Sequence, residues 1–269
     1  MSNLSNIGFN VESEDEFFSL VERAYNSATR IKAKKGNYVQ FCDPSGAELW
    51  MQTNSKNELI GANPHYHGKS RRNVCLTATI DRKESPLDGA YHGWADPAED
   101  NNPESGAYPF VFDVPDHKIV SNIVLPQTLD IQLSAFAQEF SYYESETAFS
   151  SGQEDEPKWA AQSFVPSGLF NFDEEKDSGP PEALGIFAGV IKESEKKTNQ
   201  FTEQDYYWML VDTLGGEIDV VADLRYFDQK PPQKGGVVHG QFWLSGRLLS
   251  TPQTSEIAKK GFFQKLFGR

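Results

Sequence analysis

The sequence predicts an α+β protein that is mostly β, with an N-terminal domain containing a βαββ unit followed by a small OB-like β-barrel. Two observations favour this class. Strand, helix and hairpin signals follow one another over residues 7–51, and glycines punctuate three apolar β segments between Leu184 and Leu249. Glycine inside strands is typical of bulges and tight coiling, which small barrels need in order to close.

The N-terminal unit is predicted from local signals. Residues 7–11 alternate between apolar and polar side chains, as a half-buried strand does. Ser13 and Glu16 match a capping box, and apolar residues then recur at helical spacing. The basic run at 30–35 complements the C-terminal end of a helix dipole, so the helix is expected to continue until Gly36.

A hairpin is predicted next, with strands at 38–41 and 48–51 joined by the Asp-Pro-Ser-Gly turn at 43–46. Residues 73–80 have the composition of a further strand. Residues 85–109 are rich in Gly, Pro, Asp and Asn, which predicts a long loop.

Composition divides the chain into four predicted parts. Residues 1–142 form the N-terminal α+β domain, and residues 143–182 form an acidic connector. Residues 183–250 form the OB-like module, and residues 251–269 a basic amphipathic tail. Within the connector, the polar stretch 144–158 is expected to be a mobile surface loop, because it has little apolar area to bury.

The βαββ run that ends in DPSGAELW resembles a half-module of the vicinal oxygen chelate (glyoxalase-like) superfamily over residues 5–53. That resemblance implies a metal held by His or Gln on the first strand and by Glu on the last, where Glu48 stands in this chain. Other residue types occupy the outward side of the first strand: Asn6, Gly8 and Asn10. The whole chain also resembles a bacterial family, a likeness that implies no function.

His65-Tyr66-His67 is the one clustered histidine motif. On a strand, both imidazoles would point to one face, as in several metal sites. His65, His67 and Glu48 are therefore the candidate ligands of a metal-dependent, vicinal-oxygen-chelate-like enzyme, the first alternative function. Asn63-Pro64 and Gly68 flank the motif and favour a loop, so structural or exposed histidines are the preferred interpretation. Three other histidines are scattered possible ligands: His92, His117 and His239.

Charge is strongly segregated along the chain, whose net charge is −14. Residues 93–117 hold six acidic residues and no Lys or Arg, and residues 142–182 hold ten acidic residues and two lysines. Such segments repel phosphate backbones, which counts against general nucleic-acid binding. Residues 30–83 hold ten basic residues and four acidic ones, and are expected to bind an anion or to neutralise the acidic loops.

Two cysteines, Cys42 and Cys75, lie in apolar contexts and are expected to be buried, reduced thiols. No apolar run is long enough for a membrane span, and residues 1–10 lack the features of a signal peptide. A cytoplasmic protein is the expectation.

Catalytic signatures are missing from the sequence: it has no G-x-S-x-G, Walker or G-x-G-x-x-G motif. Five aromatic residues on two predicted strands raise a second alternative, single-strand nucleic-acid binding by an OB-fold: Tyr206, Tyr207, Trp208, Phe242 and Trp243. Alternation sends Tyr206 and Trp208 to one face and Tyr207 to the other, so core packing is the preferred interpretation.

The C-terminal tail differs from the rest of the chain. In a helix, its apolar residues would form one stripe flanked by basic side chains. The candidate partner-binding residues are Phe262, Phe263, Lys265, Leu266 and Phe267. Such a peptide suits a partner groove, a surface of its own body or a membrane. The leading hypothesis is a cytosolic, bacterial, non-enzymatic interaction protein without a cofactor, whose tail at 256–269 docks a protein partner.

Overall fold

The computed structural model describes residues 2–82, 85–120, 123–154, 157–166, 181–228 and 230–249. In these ranges the protein is mostly β with a few short helices, which confirms the predicted α+β class at that level. The helices are α1 (Glu14–Tyr25), α2 (His117–Val120) and α3 (Glu146–Ser151). None of these helices is long and apolar enough to cross a bilayer.

The strands of the described ranges follow in chain order: β1 (Thr29–Ala33), β2 (Gly36–Cys42), β3 (Ala47–Thr53), β4 (Leu59–Tyr66), β5 (Arg72–Asp81), β6 (Gly89–Ala95), β7 (Pro109–Asp113), β8 (Gln127–Tyr143), β9 (Ser163–Pro166), β10 (Leu184–Asn199), β11 (Gln204–Thr213), β12 (Gly216–Asp223) and β13 (Val237–Leu248).

Strands β1 to β4 form a four-stranded antiparallel sheet in chain order, called the small sheet below. The predicted hairpin is confirmed as β2 and β3, joined by a turn in which Asp43 Oδ1 accepts a hydrogen bond from the Ser45 amide. The predicted cap is also confirmed, because the Ser13 side chain accepts from the Glu16 amide. Helix α1 therefore starts where the sequence places it.

Two N-terminal predictions are wrong. Residues 7–11 form no strand: Ser5–Ile7 is a short 3-10 turn that ends at Gly8, where φ is +80°. The apolar alternation there reflects burial of single side chains against the larger sheet. The helix also ends at Tyr25, because Ile31 and Ala33 pack beside a buried aromatic cluster and so place the basic run in strand β1.

The larger sheet has nine strands, in the order β11-β12-β8-β5-β6-β7-β13-β10-β9. Five of these strands pair in a cycle: β8 with β13, β13 with β10, β10 with β11, β11 with β12, and β12 with β8. All of these pairings are antiparallel except the last. Strand β8 precedes the predicted connector and pairs with β13 beyond it; the domain boundaries stay a prediction.

Two predicted loops contain secondary structure. Strand β6 lies within 85–109 and pairs with β5 and β7, which is possible because small residues such as Gly93 let the backbones approach closely. Helix α3 lies within 144–158; Ser145 caps it, and Phe149 is 1% exposed against Tyr143. The buried ring of Phe149 supplies the apolar contact that the polar composition of 144–158 did not lead us to expect. Residues 155–156 of that stretch lie outside the described ranges.

The small sheet and α1 cover the outer face of β11. Tyr206, Trp208 and Leu210 belong to the apolar cluster shared with the small sheet, whereas Met209 and Val211 belong to the core of the larger sheet. This division follows the two-residue alternation of a strand. The two sheets therefore meet across an apolar interface.

The N-terminal segment fastens this interface through Asn6, which is fully buried. Its amide nitrogen Nδ2 donates to the Ala137 carbonyl at 2.8 Å, and its Oδ1 accepts from the Asp223 amide at 3.1 Å. One side chain thus joins the N-terminus to strands β8 and β12.

We expect Asn6→Ala to lower the free energy of unfolding by about 1–3 kcal/mol, because it leaves the buried Asp223 amide without its acceptor. It also removes one donor from the Ala137 carbonyl, which Tyr226 Oη still reaches at 3.2 Å. Asn10→Ala is the matched control, since Asn10 is exposed and bonds only to the Gln204 side chain. Urea unfolding of both variants measures the difference. Equal losses would contradict a special role for Asn6.

Candidate functional site

A cleft of about 590 Å³ opens where the small sheet meets the larger sheet. The β2–β3 turn forms one wall, and residues 66–69, just after β4, form another. Lys197 of β10, Trp208 of β11 and Arg247 of β13 complete it. The cleft therefore depends on how the two sheets are held together.

The buried carboxylate of Asp219 lies behind this cleft. Its Oδ1 accepts from the Lys69 amide at 2.9 Å and from Trp208 Nε1 at 2.8 Å. Its Oδ2 accepts from the Ser70 amide at 2.9 Å and from Gln132 Nε2 at 2.8 Å. A side chain at Gly68 would lie 2.1 Å from this carboxylate, so only glycine fits there. Asp219 thus fixes both the cleft wall and the Trp208 ring.

Two lysines reach the same indole ring. The Lys69 ammonium lies 4.8 Å from the centroid of Trp208, and that of Lys197 lies 5.8 Å from it. Each also pairs with a glutamate: Lys69 with Glu193 at 2.7 Å, and Lys197 with Glu195 at 2.6 Å. Both glutamates are more than half exposed, and such surface pairs are weak. The lysines can therefore exchange these partners for another anion.

Arg247 contacts two carboxylates and an indole ring. Its guanidinium lies 3.9 Å from Glu48 Oε1 and 3.7 Å from Asp116 Oδ2, and it stacks over Trp50 at 5.2 Å. Burial raises the pKa of Asp116, and Arg247 acts in the opposite direction. Glu48 also accepts from Trp50 Nε1 at 2.7 Å. This network fixes Arg247 at the floor of the cleft.

The predicted metal ligands lie near one another but face different surroundings. His65 lies in strand β4, next to its last residue, so the loop predicted there is wrong. It is the register partner of Glu48. His65 is fully buried: Nδ1 lies 2.8 Å from Ser245 Oγ, and Nε2 lies 3.2 Å from Gln132 Oε1. Burial holds its pKa well below the usual range. His67 is exposed and lines the cleft.

Among the residues that the structure describes, no group of three or more His, Cys, Asp or Glu is placed to hold a metal ion. The other histidines have their own neighbours. His92 lies 2.6 Å from Thr77 Oγ1, and His239 packs against Phe149 and Trp159. His117 is fully buried beside Tyr91, and neither ring nitrogen has a hydrogen-bond partner among the described residues.

Both cysteines are free, as predicted, but only Cys75 is buried. Cys42 is exposed at the cleft, where desolvation and the neighbouring Glu48 raise the pKa of its thiol to about 12. The thiolate is the nucleophilic form of cysteine. Cys42 is therefore protonated and unreactive at neutral pH.

The aromatic residues considered for base stacking are largely enclosed. Tyr206 is 0% and Trp208 2% exposed, and Phe242 stacks on Phe187 with a centroid distance of 4.0 Å. Trp243 donates from Nε1 to Asp113 Oδ2 at 2.8 Å. These rings serve the core and the cleft wall.

The basic region 30–83 is divided by the fold. Residues 30–35 lie in and beside β1, and Lys69 lines the cleft. Arg72 is buried, donating to the carbonyls of Leu214 and Gly215. The predicted partner-binding residues of the tail lie outside the described residues.

No protein-family model, curated protein or solved structure matches the chain. The cleft is therefore interpreted from its own geometry. Sequence reasoning missed Asp219, Lys197 and Arg247 as site residues. One signal was available: Asp219 is a lone carboxylate inside the apolar run Ile218–Val221, and a buried charge requires several partners.

We expect Asp219→Asn to lower the free energy of unfolding by about 3 kcal/mol or more, since the new amide group faces buried N–H donors and leaves them unpaired. Asp205→Asn is the control, because Asp205 forms an exposed pair with Lys196, worth about 1 kcal/mol or less. Chemical unfolding compares the two. A small loss for Asp219→Asn would show that Asp219 does not hold the sheets together.

Stability should fall on acidification because of His117. Burial lowers its pKa from 6.5 to about 4, so the unfolded chain binds a proton more readily over that interval. This costs about 2 kcal/mol between about pH 7.5 and about pH 5. His117→Phe keeps the ring contact with Tyr91 and should remove that part of the pH dependence. Unfolding free energies at the two pH values test this, and parallel losses in wild type and variant would contradict it.

Proposed function

We propose that this protein is a non-enzymatic binding protein whose cleft takes a small anionic molecule with a carboxylate or phosphate group. The observation that carries the proposal is the convergence of Lys69 and Lys197 on Trp208, beside the fixed guanidinium of Arg247. An anion placed there would replace the exposed glutamates as the partner of both lysines. Two lysines over one indole, with the guanidinium of Arg247 also lining the cleft, suit the anionic group of a small molecule.

The chemistry of the cleft supports binding over catalysis. Cys42 is protonated, and both nitrogens of His65 are engaged behind the cleft wall. Nucleophilic catalysis needs a nucleophile paired with an oriented base. The metal-dependent alternative has weaker support for the same reason, since His65 has no free nitrogen for a metal.

We also propose that the five strands paired in a cycle are an OB-like barrel. The antiparallel run β10–β11–β12, the parallel contact between β12 and β8, and the pairing of β13 with β8 and β10 support it. One strand of this barrel, β8, precedes the OB-like module predicted at 183–250. Single-strand nucleic-acid binding is disfavoured, because the small sheet covers the β11 face that carries Tyr206 and Trp208. Partner docking by 256–269 stays a prediction.

Binding to the cleft is tested by calorimetric titration with citrate and with inorganic phosphate as probes. We expect saturable binding of at least one, and the double variant Lys69→Gln/Lys197→Gln should weaken it about tenfold, because each lysine supplies a charge-assisted contact. Both side chains end in exposed ion pairs, so the fold should be retained.

The matched control is Lys192→Gln/Lys196→Gln, which removes two charges from β10, the strand that carries Lys197, at positions that do not line the cleft. These lysines pair with Glu217 and Asp205. We expect less than about a twofold change for this control, because neither lysine can contact a ligand in the cleft and exposed charges are screened by salt. Equal weakening by both variants, or no saturable binding by the wild type, would contradict the proposal.

A further inference from the structure

Strand β1 is the free edge of the small sheet. It pairs with β2 along Thr29–Ala33, and no other strand in the described ranges pairs with its outer side. An edge strand presents unpaired backbone N–H and C=O groups, which accept another strand. Strand β1 does not line the cleft, so this edge is a separate surface.

The same edge carries a run of exposed cations. Arg30, Lys32, Lys34 and Lys35 are all exposed, and none forms an ion pair within the described part of the chain. Arg30 lies over the Tyr25 ring at 5.9 Å, and Lys118 and, more weakly, Lys35 lower the pKa of Asp81. Strand β10 differs from β1 in its ion pairing, because each of its three lysines forms an ion pair with a carboxylate. In a chain of net charge −14, four neighbouring unpaired cations form a local surface of opposite sign.

We propose that β1 binds an extended acidic segment of a partner protein, which adds to the small sheet as a fifth strand. Backbone hydrogen bonds to the free edge would supply affinity, and carboxylates opposite Arg30 and Lys32, with Lys34 in the turn beyond the strand, would supply specificity. The occupant is not a second copy of this edge, because like charges opposite each other are destabilising. The net charge disfavours a nucleic acid.

The probe is a fluorescein-labelled peptide of about ten residues with alternating Glu and Thr, a pattern that permits strand addition. Fluorescence anisotropy should show saturable binding to the full chain. Lys32→Glu/Lys34→Glu should weaken it about tenfold or more, because attraction becomes repulsion. The control Lys158→Glu/Lys234→Glu reverses two exposed lysines that lie outside the small sheet and should change it less than about twofold.

A second peptide replaces the Thr residues with Pro and keeps every carboxylate. Since proline cannot donate a ladder hydrogen bond, we expect it to bind about tenfold more weakly. Equal affinity for both peptides, or equal effects of both variants, would mean that the peptide binds by general charge attraction and not by strand addition. Either result would overturn the proposal. Saturable binding of an oligothymidylate as tightly as the Glu-Thr peptide, or no binding of that peptide, would also overturn it.

Discussion

The carboxylate of Asp219 is the interaction on which the arrangement of this protein depends. It accepts hydrogen bonds from the Lys69 and Ser70 amides, from Gln132 and from Trp208, and so connects β12, β8, β11 and the segment after β4. A buried charge is tolerated only when its hydrogen-bonding capacity is filled. Because three other elements supply its donors, the relative positions of these elements and β12 are fixed together.

The hydrogen bonds to Asp219 hold one wall of the cleft in place, whereas the two lysines at its opening can change partners. Trp208 is held through its indole nitrogen, and Arg247 is held between Glu48 and Asp116. Lys69 and Lys197, in contrast, end at the surface beside exposed glutamates. Rigid groups define the shape of a binding site, and loosely paired groups are free to meet a ligand at little cost. The cleft combines both kinds.

The covering of β11 by the small sheet has two opposite consequences. It removes Tyr206 and Trp208 from the surface, so they stabilise the interface instead of presenting ring faces to bases. It also leaves β1 at the far edge of the small sheet, where backbone groups and cations stay accessible. The anionic ligand proposed for the cleft and the acidic strand proposed for β1 therefore bind different parts of the same sheet arrangement.

The sequence by itself determined features that depend on neighbouring residues. The Ser13 cap, the turn at 43–46 and the mostly β class all follow from short-range geometry and alternation. Tertiary structure decided what depends on distant partners. Residues 29–33 form a strand because Ile31 packs on a remote aromatic cluster, and His65 is buried by contacts from β8 and β13. The apolar neighbours of Asp219 indicate a buried carboxylate, but its donors lie 11 to 150 positions away and only the folded chain brings them together.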